Sequence, residues 1–137
     1  MDNSDGLLPS LWLLAEASNV SIELDVDRFL FESEVLQVAE IAEVDPWRLA
    51  LGWGDWSLVF TASPEVAGEL QEIAASCGLP LSPIGSVRRG DGVRARIGEA
   101  CGIPMRLESE RFAEDSWFQT GLDSYIDTFL NSPLIAE

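Results

Sequence analysis

The sequence predicts an α+β fold, in which helices pack as a layer on a mixed β-sheet of about four or more strands. Apolar residues recur at helical spacing in several separate segments. The stretch "VSIELDV" at 20–26 alternates apolar and polar residues, a period of two that is typical of a half-buried strand. No repeat or long linker interrupts the order of these elements, so a single domain is expected over residues 1–137.

Three helices are predicted in the first half of the chain. Ser4 or Asp5 is a suitable N-cap for a helix over about 7–18, where Leu7, Leu11 and Leu14 lie on one side. A second apolar helical face covers 35–42. Asp45 and Pro46 favour the start of a third helix, and Gly52 favours its end.

The second half begins with a predicted strand over 55–62, with Trp56, Leu58 and Phe60 on one face. Ser63 caps a helix that ends at Gly78. An apolar stripe is expected along this helix, formed by Val66, Leu70, Ile73 and Cys77.

Prolines at 80 and 83 restrict the next segment, 79–87, to an interrupted or edge strand, because proline cannot donate a ladder hydrogen bond. Asp91-Gly92 predicts a hairpin turn that joins this strand to 93–98. A further short strand is expected near 103–109, and helical patches between 111 and 130.

The charge balance is strongly acidic, with 24 Asp and Glu against 8 basic residues, for a net charge of −16. All the basic residues are arginine, and histidine and lysine do not occur. This balance disfavours nucleic acid and anionic membranes as partners and suits cations, while solubility alone is the commoner explanation of such acidity. Without histidine, catalysis would have to rely on carboxylates, arginines or a bound metal.

No signal peptide pattern and no apolar run of 18 residues is present, so a cytoplasmic protein is expected rather than a secreted or membrane protein. The two cysteines, Cys77 and Cys101, each follow an apolar stretch. They are therefore predicted to be buried thiols in a reducing compartment rather than a zinc or redox pair.

Three acidic, glycine-containing motifs are candidates for chemistry: "DNSDGL" at 2–7, "GWGDWSLVF" at 52–60 and "GLDSY" at 121–125. Each also has a purely local explanation. An aspartate before a helix is usually a cap, glycines with an aspartate before a strand usually form a turn, and Gly-Leu-Asp-Ser usually begins a helix.

The order and spacing of the motifs resemble the C-terminal half of thiamine-monophosphate kinase, in the superfamily of aminoimidazole ribonucleotide (AIR) synthetase. The resemblance runs from Asp2 to about Val93 and resumes at 121–125. The family stretches typically read Asp-x-Ser-Asp-Gly-Leu, Gly-Gly-Glu-Asp-Tyr-Glu-Leu-Leu-Phe and a closing Gly-Tyr-Asp-His-Phe. The resemblance implies a fold like the AIR synthase C-terminal domain, a cytoplasmic kinase of thiamine biosynthesis, and use of ATP and Mg²⁺.

The resemblance also assigns roles to residues of this chain. Asp5 is expected to help hold magnesium between the ATP phosphates, a task that suits a carboxylate because magnesium prefers oxygen ligands. Ser4, as cap, and Gly6 are expected to shape the entry into the following helix. Four residues are expected to lie on the acceptor-substrate side: Asp55, Trp56, Gly121 and Asp123. A tryptophan there could stack on a cationic ring, although packing in the core is the commoner use of tryptophan.

The departures from the family are specific. Trp53-Gly54 stands in place of Gly-Glu, and Ser57 replaces a second glutamate. No segment of the sequence matches the N-terminal, ATP-binding domain of the superfamily, and no phosphate-binding glycine loop is present.

Two functions therefore remain open. The chain is either the C-terminal, acceptor-side domain of a kinase, inactive without an N-terminal ATP-binding partner that shares the Mg²⁺ and ATP, or a stand-alone binding or regulatory module without catalysis. No catalytic residue is assigned. A small-molecule phosphate acceptor is the expected ligand, and a homodimer is left open.

Overall fold

The computed structural model describes residues 1–51 and 57–102, together with positions 121, 123 and 127. Within these residues a mixed four-stranded sheet carries helices packed on it, so the predicted α+β fold is confirmed. Among the same residues, no helix is long and apolar enough to cross a membrane.

The helices are α1 (Leu7–Ser18), α2 (Ser33–Ala42), α3 (Pro46–Leu51) and α4 (Pro64–Ser76). The strands are β1 (Ser21–Asp25), β2 (Gly85–Arg88), β3 (Gly92–Ile97) and β4 (Ala100–Gly102), and a 3-10 turn, Val26–Arg28, follows β1. The predictions of a helix over 7–18 and of a strand over 20–26 are confirmed to within one residue.

The sheet has the strand order β2-β1-β3-β4. Strand β1 lies in the middle, antiparallel to β2 and parallel to β3, while β3 and β4 are antiparallel. The backbones of β1 and β2 approach closely at Gly85, where a Cβ atom would lie 2.3 Å from the carbonyl oxygen of Glu23. Only glycine fits at this contact.

One face of the sheet forms the core. Helix α1 packs on this face against β1 and β3, and the end of α3 closes one side of the cluster. The cluster consists of Leu8, Leu11, Ala15, Ile22, Leu24, Val26, Leu51, Val59, Val93 and Ala95. The alternation of β1 explains this arrangement, because Ile22 and Leu24 point to α1 while Glu23 and Asp25 point to the opposite face.

The predicted hairpin at Asp91-Gly92 is wrong. The edge position of β2 is confirmed, but β2 and β3 do not pair with each other, because β1 lies between them. The connection 89–91 instead passes over the first residue of β1. A Cβ atom added at Gly90 would lie 3.2 Å from Cβ of Ser21. The hairpin that does form joins β3 to β4, with Ile97 paired to Ala100.

The predicted strand over 55–62 is also wrong in its described part, 57–62. This segment makes one isolated bridge, between Leu58 and Asp2, and joins no strand of the sheet. Leu58 and Phe60, which are predicted to share one face, are both exposed, while Val59 lies in the core. The residues of the short strand expected near 103–109 lie outside the described part of the chain.

The predictions of burial fail for α4 and for the cysteines. Helix α4 has no fully buried residue, and Val66 and Ile73 are 41% and 52% exposed. Cys77 and Cys101 are exposed as well. The apolar sequence around them does not bury them, since Cys77 follows the exposed end of α4 and Cys101 lies on the edge strand β4.

Candidate functional site

The first motif forms a tight turn, residues 2–6, which we call the acidic turn. The N–H of Gly6 donates to the carbonyl of Asn3 over 3.1 Å, and Gly6 then serves as the N-cap of α1. Gly6 has φ 104° and ψ 149°, a conformation that glycine adopts without steric cost. The expectation that Gly6 shapes the entry into the helix therefore has a direct geometric basis.

Ser4 is not the helix cap, and neither is Asp5, because the cap position falls on Gly6. The Ser4 hydroxyl donates to Oδ1 of Asp2 over 2.7 Å, and the Ser4 N–H donates to the same oxygen over 3.3 Å. A hydrogen bond to a carboxylate is stronger than one between neutral groups, so the hydroxyl is held away from the helix amides. The bonds from Ser4, first from its side chain and then from its backbone, lower the pKa of Asp2.

The acidic turn lies beside the end of the second motif. The N–H of Asn3 donates to the carbonyl of Ser57 over 3.1 Å, and its side-chain amide donates to Oγ of Ser57 over 3.4 Å. The N–H of Val59 donates to the carbonyl of Met1 over 3.0 Å. Residues 1–3 therefore run antiparallel to 57–59, and two motifs more than 50 residues apart in sequence meet in space.

Asp5 lies in the acidic turn, half-buried, one residue before the cap of α1. The described residues contain no group of three or more His, Cys, Asp or Glu that could hold a metal ion. Magnesium is usually bound through one or two protein carboxylates, with water and substrate phosphates completing its shell. The acidic turn contains carboxylates enough for a site of this kind. The role of Asp5 as a magnesium ligand stays a prediction.

The structure describes two of the four residues that are predicted to lie on the substrate side. Asp55 and Trp56 lie outside the described residues. Gly121 is exposed with φ 91°, and Asp123 is exposed and helical. Their expected role in acceptor binding also stays a prediction.

A second polar cluster, which sequence reasoning missed, lies on the sheet face opposite the core. We call it the outer sheet face. It carries the side chains of Glu23, Asp25, Ser86, Arg88, Arg94, Arg96 and Cys101. The signal was present in the sequence, because "IELD" alternates acids and "VRARI" alternates arginines with the same period of two.

Ion pairs organise this face. Nε of Arg88 donates to Oε2 of Glu23 over 2.5 Å, which lowers the pKa of Glu23. Asp25, with only 13% of its side chain exposed, accepts hydrogen bonds from both Arg28 and Arg96. Arg96 also reaches Asp27 over 3.8 Å, and Asp27 accepts a hydrogen bond from the N–H of Gly98 over 2.9 Å. These contacts tie β1, the 3-10 turn and β3 together.

Comparison with known proteins points to one enzyme family. The thiamine-monophosphate kinase of Pyrococcus horikoshii is 35% identical over 94 residues, which are 68% of this chain and 27% of that protein. The crystal structure of thiamine-monophosphate kinase from Stenotrophomonas maltophilia K279a matches 69% of this chain at 34% identity, with a TM-score of 0.63. This chain carries a thiamine-monophosphate kinase-related domain.

The relationship covers only part of each relative. The kinase-related domain spans about 29% of the Stenotrophomonas chain. It spans 31% of a solved AaThiL complexed with AMPPCP and TMP, at 28% identity, 74% coverage of this chain and a TM-score of 0.59. A scan against family models finds no match. The resemblance inferred from the motifs is confirmed.

Proposed function

We propose that this chain is the C-terminal, acceptor-side part of an ATP- and Mg²⁺-dependent kinase of the thiamine-monophosphate kinase type, with the ATP-binding part lying outside these residues. The observation that supports it most is the pairing of 1–3 with 57–59, which brings the acidic turn next to the described end of the second motif. The relationship to thiamine-monophosphate kinases, one of them complexed with AMPPCP and TMP, supports the choice of reaction.

In this proposal the acidic turn faces the nucleotide phosphates. Asp5 supplies a carboxylate oxygen to Mg²⁺, which neutralises phosphate charge when bound. Ser4 and Gly6 act as positioning residues: the hydrogen bonds of Ser4 hold the carboxylate of Asp2, and the positive φ of Gly6 turns the backbone into α1. Catalysis then rests on positioning and charge, without a covalent intermediate or a histidine base.

The acceptor side is assigned to the second and third motifs. Trp56 offers an aromatic face for a cationic ring, an interaction of about 0.5–2 kcal/mol. Asp55 and Asp123 offer carboxylates to a cationic acceptor, and Gly121 provides a positive φ at the start of the closing motif. In this proposal, kinase activity of the 137 residues requires the separate ATP-binding part.

A stand-alone binding module without catalysis is the second candidate, and one contact favours it. Ser57 stands where the family has a glutamate, and its hydroxyl and carbonyl oxygens are bound by Asn3. The position therefore serves to hold the acidic turn against the second motif, which is a structural role rather than a substrate-binding one.

A complementation assay tests the first proposal. The 137-residue protein is combined with the separately expressed ATP-binding part of the Pyrococcus horikoshii kinase, and transfer of the γ-phosphate of ATP to thiamine monophosphate is measured. We expect no turnover by the 137 residues alone, and turnover on mixing that Asp5→Asn lowers at least 100-fold. Asp91→Asn, an equal charge change on an exposed turn, is the matched control.

Three results would count against the proposal of an acceptor-side part that needs a separate ATP-binding part. These are turnover by the 137 residues alone, full activity of the Asp5→Asn mixture, and no activity in any mixture. Thermal unfolding with Mg²⁺-ATP and with thiamine monophosphate separates the candidates further. A ligand at 100 times its Kd raises stability by about 2.7 kcal/mol. Stabilisation by thiamine monophosphate without turnover in any mixture would favour the binding module.

A further inference from the structure

The arginines of this acidic chain are unevenly distributed. Four of the 8 basic residues lie on or beside the outer sheet face: Arg28, Arg88, Arg94 and Arg96. The three carboxylates among them are Glu23, Asp25 and Asp27. This face is therefore locally cationic in a protein with a net charge of −16.

Arg94 lies at the centre of the face without an ion pair among the described residues. Its cross-strand neighbour on β1 is Glu23, the position at which a Glu–Arg pair would normally form. However, Glu23 is already bound from the other side by Arg88 and by the hydroxyl of Ser86. Among the described residues, the guanidinium of Arg94 therefore makes no hydrogen bond or ion pair, although its positive charge adds to that of Arg88 in lowering the pKa of Glu23.

Two more guanidinium groups are held in place beside it. The buried carboxylate of Asp25 accepts a hydrogen bond from Nε of Arg28 over 2.9 Å and another from Nη2 of Arg96. Each arginine has five N–H donors in a rigid fork, so donors remain after these bonds are made. Anchoring lowers the entropic cost of binding a ligand, because the side chains are already ordered.

The three arginines line a cavity of about 150 Å³, whose polar wall also includes Glu23, Asp25, Ser86 and Cys101. A water molecule takes about 30 Å³ of liquid volume, so the cavity has room for a group of several heavy atoms. Guanidinium forks match the geometry of tetrahedral and planar oxyanions and bind them through paired hydrogen bonds. The net charge of −16 disfavours a long polyanion at the same place.

We propose that this cavity is a binding site for a small phosphate-type oxyanion, with Arg94 as its main ligand and Arg28 and Arg96 as flanking donors. The site goes beyond the kinase proposal. Its lining residues belong neither to the acidic turn nor to the three acidic motifs, and it lies on the sheet face opposite α1.

NMR titration of the 137-residue protein with inorganic phosphate, at constant ionic strength kept with chloride, tests this site. We expect saturable shifts at the amides of Ser86 and Ala95 and at the Nε–H of Arg94, with a Kd of about 1 mM or tighter. Glycerol 3-phosphate in a second titration distinguishes free phosphate from a phosphate monoester, and saturable binding of either supports the site.

Arg94→Gln is expected to weaken the binding at least tenfold, since the exposed side chain supplies the free guanidinium. Arg89→Gln is the matched control, because Arg89 is exposed in the connection after β2 and does not line the cavity. Unchanged amide positions away from β3 would show that both variants fold. Linear shifts without saturation for both ligands, or equal binding by wild type and Arg94→Gln, would overturn the proposal.

Discussion

Replacement of Gly85 by alanine tests the contact that holds the edge strand on the sheet. The new Cβ would lie 2.3 Å from the Glu23 carbonyl oxygen and 3.2 Å from Cα of Leu24. These are backbone atoms of the central strand, so no side-chain rotation relieves the overlap. Strand β2 would have to move by about 1 Å, and overpacking of this kind costs about 1–3 kcal/mol. We expect a loss near 3 kcal/mol, because the hydrogen bonds between β1 and β2 are strained as well.

Gly68→Ala is the matched control, the same chemical change at a glycine with open space around it. Gly68 lies inside α4 with no heavy atom within 4 Å of the added Cβ, so alanine should stabilise the helix by about 0.5–1 kcal/mol. Thermal unfolding followed by circular dichroism measures both variants. At about 4 °C per kcal/mol, Gly85→Ala should lower Tm by about 12 °C and Gly68→Ala should raise it by about 2–4 °C. Equal stability of wild type and Gly85→Ala would refute the pairing of β2 with β1.

Three further outcomes are expected. Leu24→Ala should cost about 2–5 kcal/mol in urea unfolding, because Leu24 is 1% exposed in the core, whereas Ile73→Ala on α4, at 52% exposure, should change stability by less than about 0.5 kcal/mol. Ser4→Ala should raise the pKa of Asp2 toward its ordinary value of 3.8, which an NMR titration measures. In the wild type, the stabilisation linked to this carboxylate is present above pH 3.8 and disappears as the pH falls through the lowered pKa. Glu43→Gly should raise Tm slightly, worth about 0.5–1 kcal/mol, because Glu43 ends α2 with φ 55°; an unchanged or lower Tm would contradict this geometry.

The elements that sequence predicts well here are those with strong local signals. Helix α1 and strand β1 have clear periods of 3.6 and 2, and both are found at the expected positions. The turn at Asp91-Gly92 shows the limit of such signals. Its residues predict that the chain reverses, which it does, but they contain no information on whether a third strand lies between the two arms.

Burial was harder to predict for the same reason. The apolar stripe of α4 satisfies the helical period, yet in the described part of the chain no element covers Val66 or Ile73. The exposure of Leu58 and the burial of Val59 have a different cause. That segment pairs with residues 1–3, so its facing is set by a contact across more than 50 residues rather than by its own alternation.

The candidate site follows this pattern. The motifs themselves were visible in the sequence, and the relationship to thiamine-monophosphate kinases confirms the family they indicated. The predicted cap role of Ser4 is wrong: a serine before a helix is usually a cap, but here the carboxylate of Asp2 competes for its hydroxyl. The arginines of the outer sheet face carry no strong local signal, because they come together as a cluster only through the register of β1 with β3.

The central position of β1 has a consequence for biosynthesis. Both of its partners come more than 60 residues later in the chain, as the pairing of Glu23 with Ser86 shows. A ribosome that adds about 5–20 residues per second leaves β1 without either neighbour for roughly 3–12 s. During that interval two open backbone edges are available to other nascent chains, so yield in the cell should depend on chaperones that shield the amino-terminal segment until β2 and β3 emerge.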